Sequence, residues 1–149
     1  MPSRNSPINV APARILLVDD NAHGLSARRS VLEELGATIA TASTASEALD
    51  ALAHQPFDLV VTDYKMPRMN GIELIARLRK QSPGLPVILI SGFVDSLGLS
   101  EDNTGADVVI QKSNNEVAHL VRAVSRLLRK RKPVQSQKRT HSAASTRSR

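Results

Sequence analysis

Ile15-Leu16-Leu17-Val18-Asp19-Asp20 is a run of four apolar residues followed directly by two carboxylates. It is too short for a helix and apolar at every position, which fits a strand covered on both faces, as in a parallel sheet wrapped by helices. The pattern recurs. Leu59-Val60-Val61-Thr62 ends at Asp63, Pro86-Val87-Ile88-Leu89-Ile90 ends at Ser91, and Val108-Val109-Ile110 leads to Lys112. Thr38 to Ala42 is a weaker, β-leaning stretch.

Helical spacing fills the intervals. Leu25, Val31, Leu32 and Leu35 fall on one side of a first helix that Gly36 closes, with Arg28, Arg29, Glu33 and Glu34 elsewhere. Ala45, Ala48, Leu49 and Leu52 mark a second helix over Thr44 to His54, and Ile72, Leu74, Ile75 and Leu78 a third over Gly71 to Lys80. The final helix has the clearest stripe: Val117, Leu120, Val121, Val124, Leu127 and Leu128. The fourth is feeble. Asp95 to Asn103 is interrupted by Gly98 and leaves only Val94, Leu97 and Leu99 to bury, so one or two turns are expected. Five β–α units in sequence predict an α/β domain, a doubly wound parallel sheet with helices on both faces.

The chain has 149 residues, 41% apolar and 23% charged, which suits one soluble domain. Three prolines and little that could pack make residues 1–13 a flexible arm, residues 14–132 the folded domain, and residues 133–149 a disordered basic tail. Of twenty Lys and Arg, eight lie from Arg129 onward with no acid among them. Residues 1–128 keep twelve against all fourteen acidic residues, a net of −2. The positive charge therefore belongs to the tail, which can hold nucleic acid or other polyanions non-specifically. It has no aromatic residue for base stacking and no room for a helix-turn-helix. Cysteine is absent, which removes thiolate metal sites and disulfides. No apolar run reaches a membrane span and the start lacks an apolar signal core, so the expected location is cytoplasmic.

Asp19, Asp20, Asp63, Ser91 and Lys112 carry the chemistry. Each stands at the end of an apolar run, and in a parallel sheet those ends share the edge where ligands bind. Taken singly they have plainer readings: Asp19-Asp20 a turn and helix cap, Ser91 a turn residue, Lys112 a solvated lysine, Gly71 a turn glycine. His23, His54 and His119 do not cluster. Two unit charges ~4 Å apart repel by roughly 1 kcal/mol in water and about 4 kcal/mol at an effective dielectric of 20, so three converging carboxylates require a cation among them. An oxygen-only donor set suits Mg²⁺. A carboxylate beside a metal, an ammonium and a hydroxyl is placed to accept a phosphoryl group.

Ile15 to Asn21, Val61-Thr62-Asp63-Tyr64-Lys65-Met66-Pro67 with Gly71, Ile90-Ser91-Gly92 and Ile110-Gln111-Lys112 together resemble the receiver domain of two-component response regulators, over about residues 13–130. The resemblance implies a flavodoxin-like fold with five parallel strands in the order 2-1-3-4-5, the order of the family's chemotaxis regulator. It implies that Asp63 is the phosphoacceptor and that Asp20 ligates Mg²⁺ directly, with Asp19 acting through water and the Lys65 backbone carbonyl adding an oxygen. Ser91 would bond a phosphoryl oxygen and Lys112 would pair with the phosphate, while Met66-Pro67 and Gly71 shape the loop that presents Asp63. The implied partners are a sensor histidine kinase or phosphotransfer protein and an output protein. Two positions depart from the family pattern: Ser113 replaces the usual proline after the lysine, and Val109 replaces the usual ring three residues before it. With serine at that place, a trans bond or a locally strained loop is expected.

The expected function is a stand-alone receiver, a phosphoacceptor signalling protein rather than an enzyme, which assists its own phosphorylation and dephosphorylation. The alternative is a pseudo-receiver that binds partners independently of phosphorylation. A flavin or nucleotide enzyme is disfavoured, because Asp20-Asn21-Ala22-His23 stands where a glycine-rich phosphate cradle would follow the first strand.

Overall fold

Every apolar run forms a strand. The computed structural model describes residues 13–129. Its strands are β1 (Arg14–Val18), β2 (Thr38–Ala42), β3 (Leu59–Asp63), β4 (Val87–Ser91) and β5 (Val108–Gln111). They form one sheet in the order β2-β1-β3-β4-β5, with every neighbouring pair parallel. β3 and β4, inside the sheet, are buried at all five positions, whereas β5 at the edge is mostly half-buried.

The connecting helices are α1 (Ala22–Glu34), α2 (Ala45–His54), α3 (Gly71–Gln81), α4 (Val94–Leu97), α5 (Glu101–Thr104) and α6 (Glu116–Arg129). Side chains alternate across a strand, so β1 feeds two cores. Ile15 and Leu17 pack with Leu32 of α1 and with Leu120 and Val124 of α6. Leu16 and Val18 pack with Ala45 and Ala48 of α2 and with Leu74, Ile75 and Leu78 of α3. Both faces are therefore covered, as the uninterrupted apolar runs require.

Polar residues start the helices at defined places. Asn21, Thr44 and Asn70 each accept a backbone N–H from the first turn of α1, α2 and α3. At α3 the Glu73 side chain returns to the Asn70 N–H, which completes a capping box. Ser113 forms a side-chain turn: its hydroxyl accepts from the Asn115 N–H at 3.1 Å and its carbonyl from the Glu116 N–H, leading into α6.

The expected fourth helix becomes two single turns. Gly98 closes α4 in the left-handed conformation, and Ser100 caps α5. Several assignments need correction. Leu97 is 51% exposed on α4, a single turn with no buried residue, and Val117 is 50% exposed in the first turn of α6. Arg28 is on the inward face of α1, three residues after Leu25 and four before Leu32, and it is buried. Ala13 belongs to the fold rather than to an arm: it is buried, and its carbonyl accepts from the Thr38 N–H. Residues 1–12 of the expected arm, residues 130–132 and the whole expected tail lie outside the described residues. No described helix is long and apolar enough to cross a membrane.

Candidate functional site

Strand register gathers the residues that the sequence scatters. Val18 is level with Thr62, Thr62 with Leu89, and Leu89 with Val109. One step further along, Asp19, just past the end of β1, stands beside Asp63, the last residue of β3. Asp20 and Ser91 are the next step, and Lys112 follows the last residue of β5. An open cleft of about 590 Å³ is lined by Asp20, Asn21, Asp63, Lys65, Met66, Pro67, Ser91, Gly92, Phe93 and Lys112. His23, His54 and His119 are exposed and are not among these residues.

Oxygens of Asp19, Asp20 and Asp63 all lie within 4.8 Å of one another. Asp19 and Asp63 are buried, and Asp20 is exposed at the mouth. The Lys112 ammonium is 2.9 Å from Asp63 Oδ1. The contact is an ion pair without hydrogen-bond alignment, so this buried oxygen has no hydrogen-bond partner among the described residues. Burial pushes the Asp63 carboxyl above its ordinary range, with help from the Asp19 charge and against the pull of Lys112 and Arg28.

Arg28 is a charged residue beside the acidic cluster that the sequence reading missed. Its Nη1 donates to Asp19 Oδ2 at 2.7 Å and its Nε to Glu116 Oε2 at 2.9 Å. Burial works against its charge, yet Glu116 and Asp19 outweigh burial and hold the guanidinium above its usual value. Three carboxylates thus meet two protein cations, Lys112 and Arg28, where the charge argument had required a cation. The signal was available in the spacing Leu25, Arg28, Leu32, which puts the arginine on the apolar stripe.

The remaining parts present Asp63. Gly71 donates its N–H to the Tyr64 carbonyl at 2.7 Å. It is the first residue of α3 and its φ is not positive, so close approach to β3, rather than a turn conformation, is what calls for glycine here. Arg68 has φ 70°, and the Met69 N–H reaches back to the Pro67 carbonyl, which folds this loop into a tight γ-turn. Ser91 is buried, and its hydroxyl oxygen accepts from the Phe93 N–H at 2.9 Å. Among the cleft-lining residues, the Lys65 ammonium lies 5.5 Å from the centre of the Phe93 ring, which meets Tyr64 edge-on at 6.5 Å.

The donor set fits a hard divalent cation. It consists of oxygens alone, three carboxylates converge, and one buried Asp63 oxygen lacks a hydrogen-bond donor. The fold and the acidic cluster together are those of a receiver module. Residues 15–125 match the model of the response regulator receiver domain, and the chain belongs to that family.

A gliding motility regulatory protein from Myxococcus xanthus is 33% identical over 133 residues, which is 81% of this chain and 16% of that protein. The chain thus spans about a sixth of the length of this curated relative. A CheY-like receiver domain protein from Methanospirillum hungatei superposes with a TM-score of 0.72 at 32% identity, covering 79% of this chain and 94% of that one. The response regulator TrrA from Thermotoga maritima, solved in complex with Mg²⁺–BeF, gives 0.65 at 32% identity, covering 75% and 98%.

Proposed function

We propose that this chain is a phosphoacceptor of a two-component pathway, in which a sensor histidine kinase or phosphotransfer protein donates a phosphoryl group to Asp63. An Asp63 oxygen forms the bond to phosphorus as the P–N bond of a phosphohistidine breaks. The electron pair of that bond leaves with the imidazole, which takes up a proton. Lys112 draws one phosphoryl oxygen by charge, and the Ser91 hydroxyl donates a hydrogen bond to another. Asp20, Asp63 and the Lys65 backbone carbonyl would hold Mg²⁺ directly and Asp19 through water; when bound, the ion neutralises charge on the transferring oxygens. Both Asp19 oxygens already accept hydrogen bonds, one from Arg28 and one from the Asn21 N–H, which supports its indirect part.

The observation that carries this reading is the 2.9 Å approach of Lys112 to a buried Asp63 oxygen inside the acidic cluster. The Mg²⁺–BeF complex of TrrA supports the choice of metal. The test is intact-mass analysis after incubation with Mg²⁺ and a small phosphodonor. One added phosphoryl group that Asp63→Asn abolishes is expected, and no label under conditions that modify another receiver overturns the reading.

The proposal extends to a non-enzymatic signalling role in the cytoplasm and to an output protein bound in a phosphorylation-dependent way. A pseudo-receiver is the second reading. It is favoured by Val109 in place of a ring and by the reduction of the fourth helix to two single turns. Partner binding that is unchanged in Asp63→Asn would select it.

A further inference from the structure

We propose that Arg28 is a positioning residue of this site. It holds Asp19 by one oxygen, sets how tightly the divalent cation is bound, and braces the pocket against the start of α6 through Glu116. The inference rests on the phosphoacceptor reading above, and its test separates the two.

Arg28, in the middle of α1, bridges two carboxylates: Asp19 at the end of β1 and Glu116 in the first turn of α6. The Arg28 and Asp19 side chains are 8% and 2% exposed. A buried cluster of ions loses most of its attraction to desolvation, and well-packed apolar side chains in place of all its members would serve the core at least as well, so stability alone does not account for the cluster. A second observation points to the same oxygen. Gly24 lies one turn before Arg28 inside α1, where glycine is among the poorest helix formers. A Cβ at Gly24 would stand 2.5 Å from Asp19 Oδ2, the oxygen that Arg28 grips, and 3.5 Å from Arg28 Nη1. At two positions, therefore, α1 departs from what its own stability favours, and both departures make room for one carboxylate contact.

The consequence is electrostatic. Arg28 cancels one negative charge of the Asp19, Asp20 and Asp63 cluster, and Glu116 shares the guanidinium and so moderates the cancellation. Removing the arginine should tighten cation binding. Removing the glutamate should weaken it, because the whole guanidinium charge then faces Asp19. These opposite signs distinguish a positioning role from simple packing, which would alter stability and leave cation affinity unchanged.

The experiment is calorimetric titration of the full chain with MgCl₂ in the absence of phosphodonor, with folding checked by circular dichroism. Arg28→Met is expected to lower the Mg²⁺ dissociation constant about fivefold or more. Glu116→Gln is expected to raise it about twofold. The double variant should match Arg28→Met, since Glu116 acts through Arg28. Arg28→Lys keeps the charge and should stay within about twofold of the parent.

A parent chain that takes up no Mg²⁺ overturns the phosphoacceptor reading itself, and this inference with it. A parent that binds Mg²⁺, with Arg28→Met unchanged or weaker, overturns this inference alone. Should Arg28→Met fail to fold, Glu116→Gln decides: an unchanged or lower dissociation constant overturns the inference.

Discussion

Gly71 and Asp63 are in contact through the backbone: a Cβ on Gly71 would stand 2.5 Å from the Asp63 carbonyl oxygen and 2.7 Å from Leu89 Cδ1. The strand that ends at Asp63 and the start of α3 are therefore spaced for a residue without a side chain. The Asp63 carbonyl is fixed in its strand and cannot yield as a flexible side chain could.

Gly71→Ala is accordingly expected to destabilise the fold by about 1–3 kcal/mol, the usual range for overpacking. Gly84→Ala provides the control, since a Cβ there meets nothing within 4 Å. It should be neutral or stabilising by up to about 1 kcal/mol. Urea denaturation of both variants measures this, and equal midpoints would refute the steric account.

Asp63→Asn should stabilise the metal-free protein at neutral pH, by about 0.5–2 kcal/mol as for other relieved functional sites. The sign follows from the raised carboxyl pKa of Asp63 in the folded state. At low pH the group is protonated in both states and has no effect. As pH rises, the unfolded chain ionises first, near ~3.9, so the wild type loses stability until the folded pKa is passed. The advantage of the variant should therefore open up as pH rises through that window, and Mg²⁺ should narrow it. Denaturation midpoints against pH give the curve. A variant less stable than wild type at pH 7 without metal would contradict the burial argument.

Lys112→Met removes the cation 2.9 Å from Asp63. Phosphoryl acceptance should fall on the order of 10²-fold, the scale for losing one stabilising contact to the transferring group. The rate of mass labelling with a small phosphodonor reports it directly. A rate within threefold of wild type, by contrast, would mean that the ammonium has no part in the chemistry.

Asp107 offers a test far from the cleft. Its Oδ2 accepts from the Val87 N–H at 2.8 Å and from Arg79 Nη2 at 2.9 Å, joining the start of β4 to α3 and to the approach to β5. Asp107→Ala leaves a buried Val87 N–H without its acceptor and should cost about 1–3 kcal/mol. Labelling of Asp63 per folded molecule should not change. Altered labelling at full folding would show that this corner communicates with the site.

The strands were legible because each is an apolar run with a sharp end, and parallel pairing turns those ends into neighbours: Asp63 beside Asp19, Ser91 and Lys112 just beyond. Run endings alone therefore placed Asp19, Asp20, Asp63, Ser91 and Lys112 together. Arg28 escaped because charge predicts exposure for an isolated arginine, and its partners lie just after one strand and nearly ninety residues away at the start of α6. Val117 erred the other way. Periodicity assigns a side of the helix, but it carries no information on how far along that side the packing partners extend, and Val117 in the first turn of α6 is 50% exposed. Gly71 looked like a turn residue because the spacing of β3 and α3 is not written in any local pattern.

The edge-on meeting of Tyr64 with Phe93, which lines the cleft, has a practical consequence. The chain contains one tyrosine and no tryptophan. Its near-ultraviolet emission therefore comes from a single phenol ring, directly after Asp63 in sequence. The molecule carries an intrinsic optical probe at the place where its chemistry is proposed to occur, and changes in the pocket can be followed in solution without attaching a dye.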